Sequence, residues 1–218
     1  MADQFIVLRD LSRTRMAAPF ERAEAETQAP AEPHVEVVGL GKREVSDLRR
    51  DPSVTAVARP MPTTVPGAPE DADAPAPESE AAAGVTWGVR ALGADASSRT
   101  GAGTLVAILD TGIDASHPAF AGMTLVEEDF TGSGIGDKVG HGTHCAGTVF
   151  GRQVDGMRIG VAPGVERAMI GKVLGDDGRG STAATVKGLL WAIGNDADVI
   201  TMSLGIDFPA AIRQLEER

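Results

Sequence analysis

The sequence predicts an α/β protein: a doubly wound parallel sheet over residues 84–218, preceded by a small α+β domain at 1–60 and a linker at 61–83. Three observations lead there. The apolar runs TLVAILD (104–110) and ADVITMSLG (197–205) read as strands buried on both faces of a parallel sheet. Helically patterned segments lie between such runs, at the spacing of β-α alternation. Before them, MPTTVPGAPEDADAPAPESEAAA carries prolines that remove backbone donors and acids that repel one another, with almost no large apolar side chain to offset the entropy of ordering.

Taken in order, QFIVLR (4–9) reads as an edge-like strand and HVEVVGL (34–40) as a second. The polar stretch at 12–33 reads equally as a frayed helix or a loop. KREVSDLRR (42–50) is a short helix with Val45 and Leu48 three apart, stopped by Asp51 and Pro52, after which SVTAVAR resumes extended structure. In the second region HGTHCAGTVFG (141–151) is helical and ERAMIGKVLG (166–175) is a strand. STAATVKGLLWAIG (181–194) is an amphipathic helix capped by Ser181, with Thr182, Val186, Leu189, Leu190 and Ile193 on one face. ADVITMSLG is the next buried strand, and Asp207 with Pro209 opens a last helix.

With 218 residues and 42% hydrophobic content the chain can bury a core. A net charge of −11 argues against a surface for nucleic acid or anionic membrane, either of which needs clustered Lys and Arg. Cys145 is the single cysteine, so no internal disulfide forms and a reducing, cytoplasmic setting is expected. The apolar run Phe5 to Leu8 is too short for a signal peptide or a membrane span.

Two segments carry candidate chemistry. Asp110 ends a buried strand, the place where open parallel sheets put functional groups. A carboxylate buried there needs hydrogen bonds from backbone donors or an imidazole; it could equally cap the turn into TGID. His141 opens an apolar helix among small residues, where its ring can face the same crevice, although a lone histidine on an apolar face is more often a core residue.

LDTGIDASHP (109–118) and HGTHCAGT (141–148) resemble the aspartate and histidine motifs of the subtilisin-like serine proteases, and TMSLG (201–205) resembles that family's substrate-binding strand. WGVRALGA (87–94) is similar to the entry segment of the mature domain. The order Asp then His agrees with the family's Asp, His, Ser order. The resemblance implies a serine endopeptidase in which His141 takes the proton of a serine hydroxyl and Asp110 holds the ring. It also places that serine roughly 157 residues beyond His141, and an asparagine for the oxyanion after the substrate-binding strand. Neither position falls within the sequence. Asn195, the single asparagine, stands too early and reads as a turn residue. The resemblance therefore implies a partner: a complementary C-terminal protease chain bearing the serine, cleaved from the same precursor or encoded separately. The other reading is a catalytically inactive peptide-binding or inhibitory protein that retains the cleft.

The family binds peptide substrate as an added strand between two segments. By resemblance these are Gly178, Arg179 and Gly180 on one side and Ser203, Leu204 and Gly205 on the other, although DDGRG also reads as a plain surface turn. Residues 1–60 resemble the propeptide of these proteases, which implies that the segment after Arg59 approaches the cleft; its prolines at 60, 62 and 66 make it a poor substrate in some registers. No cofactor is required and no metal site is expected: His141 and His144 lack a third ligand and an HExxH pattern. Relatives bind calcium, which Glu127, Glu128 and Asp129 could contact, though a solvated face explains them as well. Cys145 reads as a small buried hydrophobe rather than a nucleophile.

Overall fold

The computed structural model describes residues 3–10, 33–66 and 84–206. The expectations for 12–32, for 67–83 and for the helix at Asp207 and Pro209 lie outside the described residues. The chain divides into two compact units, Met1–Met61 and Pro62–Arg218.

In the first unit, strands β1 (Asp3–Asp10), β2 (Pro33–Leu40) and β3 (Val54–Ala58) and helix α1 (Lys42–Leu48) follow the predicted order. The sheet is antiparallel in the order β2-β1-β3. The edge-like reading of QFIVLR is therefore corrected, because β1 is central. Its alternation buries Phe5 and Val7, but side-chain alternation reports faces and not whether both rows of backbone groups are paired. Arg9 reaches over to Glu36 at 3.0 Å on β2 and to Asp51 at 2.8 Å before β3, tying the two outer strands together. Gly41 and Glu44 close the start of α1, with the Gly41 amide donating to the Glu44 carboxylate at 2.7 Å.

The second unit contains β4 (Pro62–Thr64), α2 (Trp87–Ala91), β5 (Leu105–Asp110), β6 (Thr124–Asp129), α3 (His141–Phe150), β7 (Gln153–Val154), β8 (Met157–Arg158), β9 (Arg167–Lys172), β10 (Arg179–Ser181), α4 (Thr182–Gly194), β11 (Val199–Thr201) and β12 (Gly205–Ile206). Strands β11-β5-β9-β6 form a sheet that is parallel throughout. On one face Val106 and Ile108 of β5 and Ala168 and Ile170 of β9 pack with Ala146 and Phe150 of α3. On the other face Ala107, Leu109 and Met169 pack against Ala184 and Ala192 of α4. This two-sided burial is why TLVAILD reads as an unbroken apolar run.

Three readings need correction. The buried face of α4 is Ala183, Ala184, Gly188 and Ala192, whereas Leu190 is 39% and Ile193 61% exposed. The helix lies so close to the sheet that small residues make the contact; a side chain at Gly171 would collide with Leu109 and approach Trp191. A pattern weighted by large apolar residues points to the wrong face. Next, ADVITMSLG forms two short strands in different sheets, β11 beside β5 and β12 beside β4. Last, the linker reading of 61–83 gives way at its front, since Pro62–Thr64 is strand β4, held between β10 and β12 in a three-stranded antiparallel sheet. Proline is tolerated there because Pro62 sits at the strand's first position.

The packing predicts that Phe150→Ala, which empties the core under α3, costs about 3–5 kcal/mol in urea denaturation. Ile193→Ser, on the face that sequence patterning assigned to the core, changes stability by less than about 0.5 kcal/mol.

Candidate active site

The parallel register sets the site. At the carboxyl edge of the sheet Asp110 of β5 lies beside Lys172 of β9, and Lys172 beside Asp129 of β6, so three charged residues form one row. They continue the face that packs against α3, and the first residue of that helix is His141. Its Nδ1 lies 2.7 Å from Asp110 Oδ1. The same oxygen accepts the Thr111 amide at 2.7 Å, and the carboxylate is 1% exposed. An ionised carboxylate only accepts, so the proton of this bond sits on Nδ1 and leaves Nε2 as the ring's acceptor.

Loops hold this pair from beneath. Thr111, directly after Asp110, is fully buried; its hydroxyl accepts the Gly142 amide at 2.9 Å, beside His141, and donates to Asp137 at 2.9 Å. Asp137 also accepts the amides of Val139 (3.0 Å), Gly140 (2.8 Å) and Thr143 (2.9 Å) and the Thr143 hydroxyl (2.7 Å). It thereby caps α3, whose own N-cap, Gly140, is left-handed and has no side chain to offer. Burial pushes the Asp137 carboxyl up in pKa, but the hydrogen bonds led by Thr143 outweigh it and hold the group below the ordinary aspartate value.

Lys172 is 1% exposed, and its ammonium donates to Thr111 O at 2.6 Å and Gly136 O at 3.0 Å while pairing with Asp176 at 2.9 Å. Three acceptors satisfy its three protons. One buried cation thus joins the loop after Asp110, the loop before His141 and the loop that leads to β10. Glycine is required where these loops meet: a Cβ on Gly142 would run into Gly112 O, and one on Gly112, at φ +103°, into Gly136 O.

The other candidates sort by geometry. Cys145 Sγ lies 3.8 Å from Nδ1 and 3.9 Å from Nε2 of His141. Near-equal approach to both nitrogens puts the sulfur over the ring face, out of line with either lone pair, and burial raises the thiol pKa. Asp110, His141 and Cys145 are the one group of potential metal ligands among the described residues, yet Nδ1 is already committed to Asp110. The acids of β6 are engaged by the loops that follow the strand. Asp129 accepts the amides of Thr131 and Gly134 and the Thr131 hydroxyl, Glu127 accepts the Gly136 amide, and strand alternation turns Glu128 to the opposite face. Asn195 closes α4, its side chain donating to Trp191 O at 2.8 Å.

Of the six positions matched to a peptide-binding cleft, four border β4. Thr64 pairs with Arg179 and with Gly205, Thr63 with Gly180, and the Val65 amide donates to Gly178 O at 3.1 Å. Ser203 and Leu204 make no pairing with β4; Leu204 packs into the core beside Leu109 and Val173. Sequence reasoning missed Asp137 and Lys172, which carry no recognisable motif of their own. It also missed the β7-β8 hairpin, for which Asp155-Gly156, both at positive φ, was the available signal.

Two outcomes follow. Gly142→Ala forces α3 away from the Thr111 loop, costing about 1–3 kcal/mol and lengthening the Asp110–His141 bond, a change visible by crystallography. The depressed Asp137 carboxyl contributes stability that is complete above the ordinary aspartate pKa of about 3.9 and is lost as pH falls through the lower folded value. Asp137→Asn is therefore less stable by about 2 kcal/mol at neutral pH, and thermal melts between about pH 6 and about pH 2 show the gap closing on acidification.

A sequence profile described as Subtilase family matches residues 101–216. The chain is 33% identical over 172 residues to a thermostable alkaline protease of Halalkalibacterium halodurans, covering 76% of this chain and 42% of that protein. It is 39% identical over 133 residues to subtilisin BL of Lederbergia lenta, covering 58% and 48%, and 39% identical over 111 residues to an intracellular serine protease of Paenibacillus polymyxa, covering 48% and 34%. The chain spans less than half the length of these relatives. With more than half of its residues inside the profile and the Asp110–His141 pair at the carboxyl edge of its parallel sheet, the chain belongs to the subtilase family.

Proposed function

We propose that the chain supplies the aspartate, the histidine and the peptide cleft of a serine endopeptidase, and that the nucleophilic serine and the oxyanion asparagine come from sequence outside it. The observation that carries this reading is the 2.7 Å Nδ1–Oδ1 bond with the acceptor Nε2 facing away from Asp110. In such a site Nε2 takes the serine proton as the hydroxyl attacks the peptide carbonyl and returns it to the leaving amine. Asp110 fixes the tautomer and stabilises the imidazolium. No serine hydroxyl is hydrogen-bonded to His141 among the described residues. Exposed Ile193, Leu190 and Val199 on α4 and the outer strand β11 offer an apolar border for a complementary segment, in line with a partner chain or continuation. No helix of the described residues is long and apolar enough to cross a membrane, and the single cysteine suits a reducing compartment.

In the same reading the residues up to Met61 form a propeptide-like domain, and residues 62–66 lie along the cleft as an inhibitory strand. The pairing of β4 with both β10 and β12 is the form an added peptide strand takes. Pro66 follows Val65 and has no amide to donate, which disfavours cleavage in this register. Occupancy of the cleft also favours the second reading, an inactive peptide-binding or inhibitory protein.

A fluorophosphonate probe on the natural protein and anything that co-purifies with it separates the two. The expected result is one labelled serine on a continuing or second polypeptide, and His141→Ala and Asp110→Ala then lower kcat by about 10^6-fold and about 10^4-fold, the size of loss when one member of a triad is removed. A single unlabelled species of 22.5 kDa favours the inhibitory reading.

A further inference from the structure

We infer that the cleft selects for an acidic side chain at the position that Thr64 occupies, and that Arg179 is the residue that selects it. This rests on the reading of the β10-β12 cleft as the peptide site and adds to it a substrate class: extended peptides with Asp or Glu at one defined register position.

Thr64 stands directly opposite Arg179 on β10 and opposite Gly205 on β12. Directly opposed residues of antiparallel strands project to the same face. Successive residues alternate, and Thr63 is the buried one at 2% exposure, so position 64 turns outward together with the exposed Arg179. Its neighbour on the other side is a glycine. Arg179 is thus the one side chain flanking position 64 on either paired strand.

The guanidinium is available. No ion pair to it is formed among the described residues. The two acids beside it are committed elsewhere: Asp176 pairs with Lys172 at 2.9 Å, and Asp177 accepts the backbone amide of Arg179 at 3.0 Å, which closes the turn into β10. Thr64 leaves the charge unanswered, its hydroxyl reaching only Gly178 O at 3.4 Å. A carboxylate at this position gains a cross-strand ion pair, and a lysine meets like charge.

The test needs no catalysis, so its outcome is independent of whether the serine is found. In the full chain, hydrogen exchange of the Val65 amide, which donates to Gly178 O, reports how tightly the strand is held. Thr64→Glu is expected to slow that exchange by roughly two- to fivefold and Thr64→Lys to speed it by a similar factor, the size of an exposed cross-strand charge pair. Both effects vanish in an Arg179→Gln background, reverse in sign with Arg179→Glu, and fade in about 1 M salt, where charges more than about 3 Å apart are screened. Amides of β5 and β9 serve as the internal measure that the fold is intact. Equal responses to Glu and Lys, or a Glu effect that persists in Arg179→Gln, overturn the assignment.

Discussion

A parallel sheet covered on both faces ends all its strands at one level, and whatever polar residue closes a central strand is buried among loops instead of solvated. That constraint falls on Asp110 and Lys172, side by side at the ends of β5 and β9. Each is 1% exposed, and although Asp110 Oδ2 has no hydrogen-bond partner, neither charge could stay there without polar partners. The loops supply them. Lys172 takes two carbonyls and a carboxylate, Asp110 takes an amide and an imidazole, and Thr111 is held at its carbonyl by the cation and at its hydroxyl by Asp137. The chemistry-bearing geometry is a consequence of satisfying buried charge.

The same network explains why the site is built from glycines and short polar side chains. Gly112 and Gly142 leave room for the Gly136 and Thr111–Gly112 backbones to approach closely around the same few donors. Asp137 stands four residues before His141 and substitutes for the missing N-cap side chain of α3, so one carboxylate holds the start of the helix that carries the imidazole. Lys172 extends the coupling through Asp176 toward β10, linking the loops behind the Asp110–His141 pair to the edge where β4 lies.

Much of this was legible in the sequence, and the reasons for success and failure are physical. TLVAILD announced a strand buried twice over because both of its faces are apolar, and the long motifs around Asp110 and His141 identified the pair because their glycines encode the close approach. The carboxylate and the ring indeed meet at 2.7 Å. The buried face of α4 was not legible, since close helix–sheet packing selects Ala and Gly, which carry little weight in a hydrophobic pattern. Strand β4 was hidden inside a proline-rich stretch because its order comes from partners more than a hundred residues away. The roles of Asp137 and Lys172 were hidden for the same reason: a charge in a sequence reads as a solvated face until the fold shows it enclosed.

The Asp110–His141 pair is already assembled within this chain itself. Proton and nitrogen spectroscopy of the chain labelled at histidine tests this directly, with His117 as an internal reference of opposite tautomer, since its Nδ1 accepts the Ala119 amide at 3.2 Å. The expected result is a slowly exchanging, strongly downfield Nδ1 proton on His141 that disappears in Asp110→Ala, with Nε2 unprotonated. A His141 ring in fast exchange, or one protonated at Nε2 like His117, would mean that the pair is not formed in the chain.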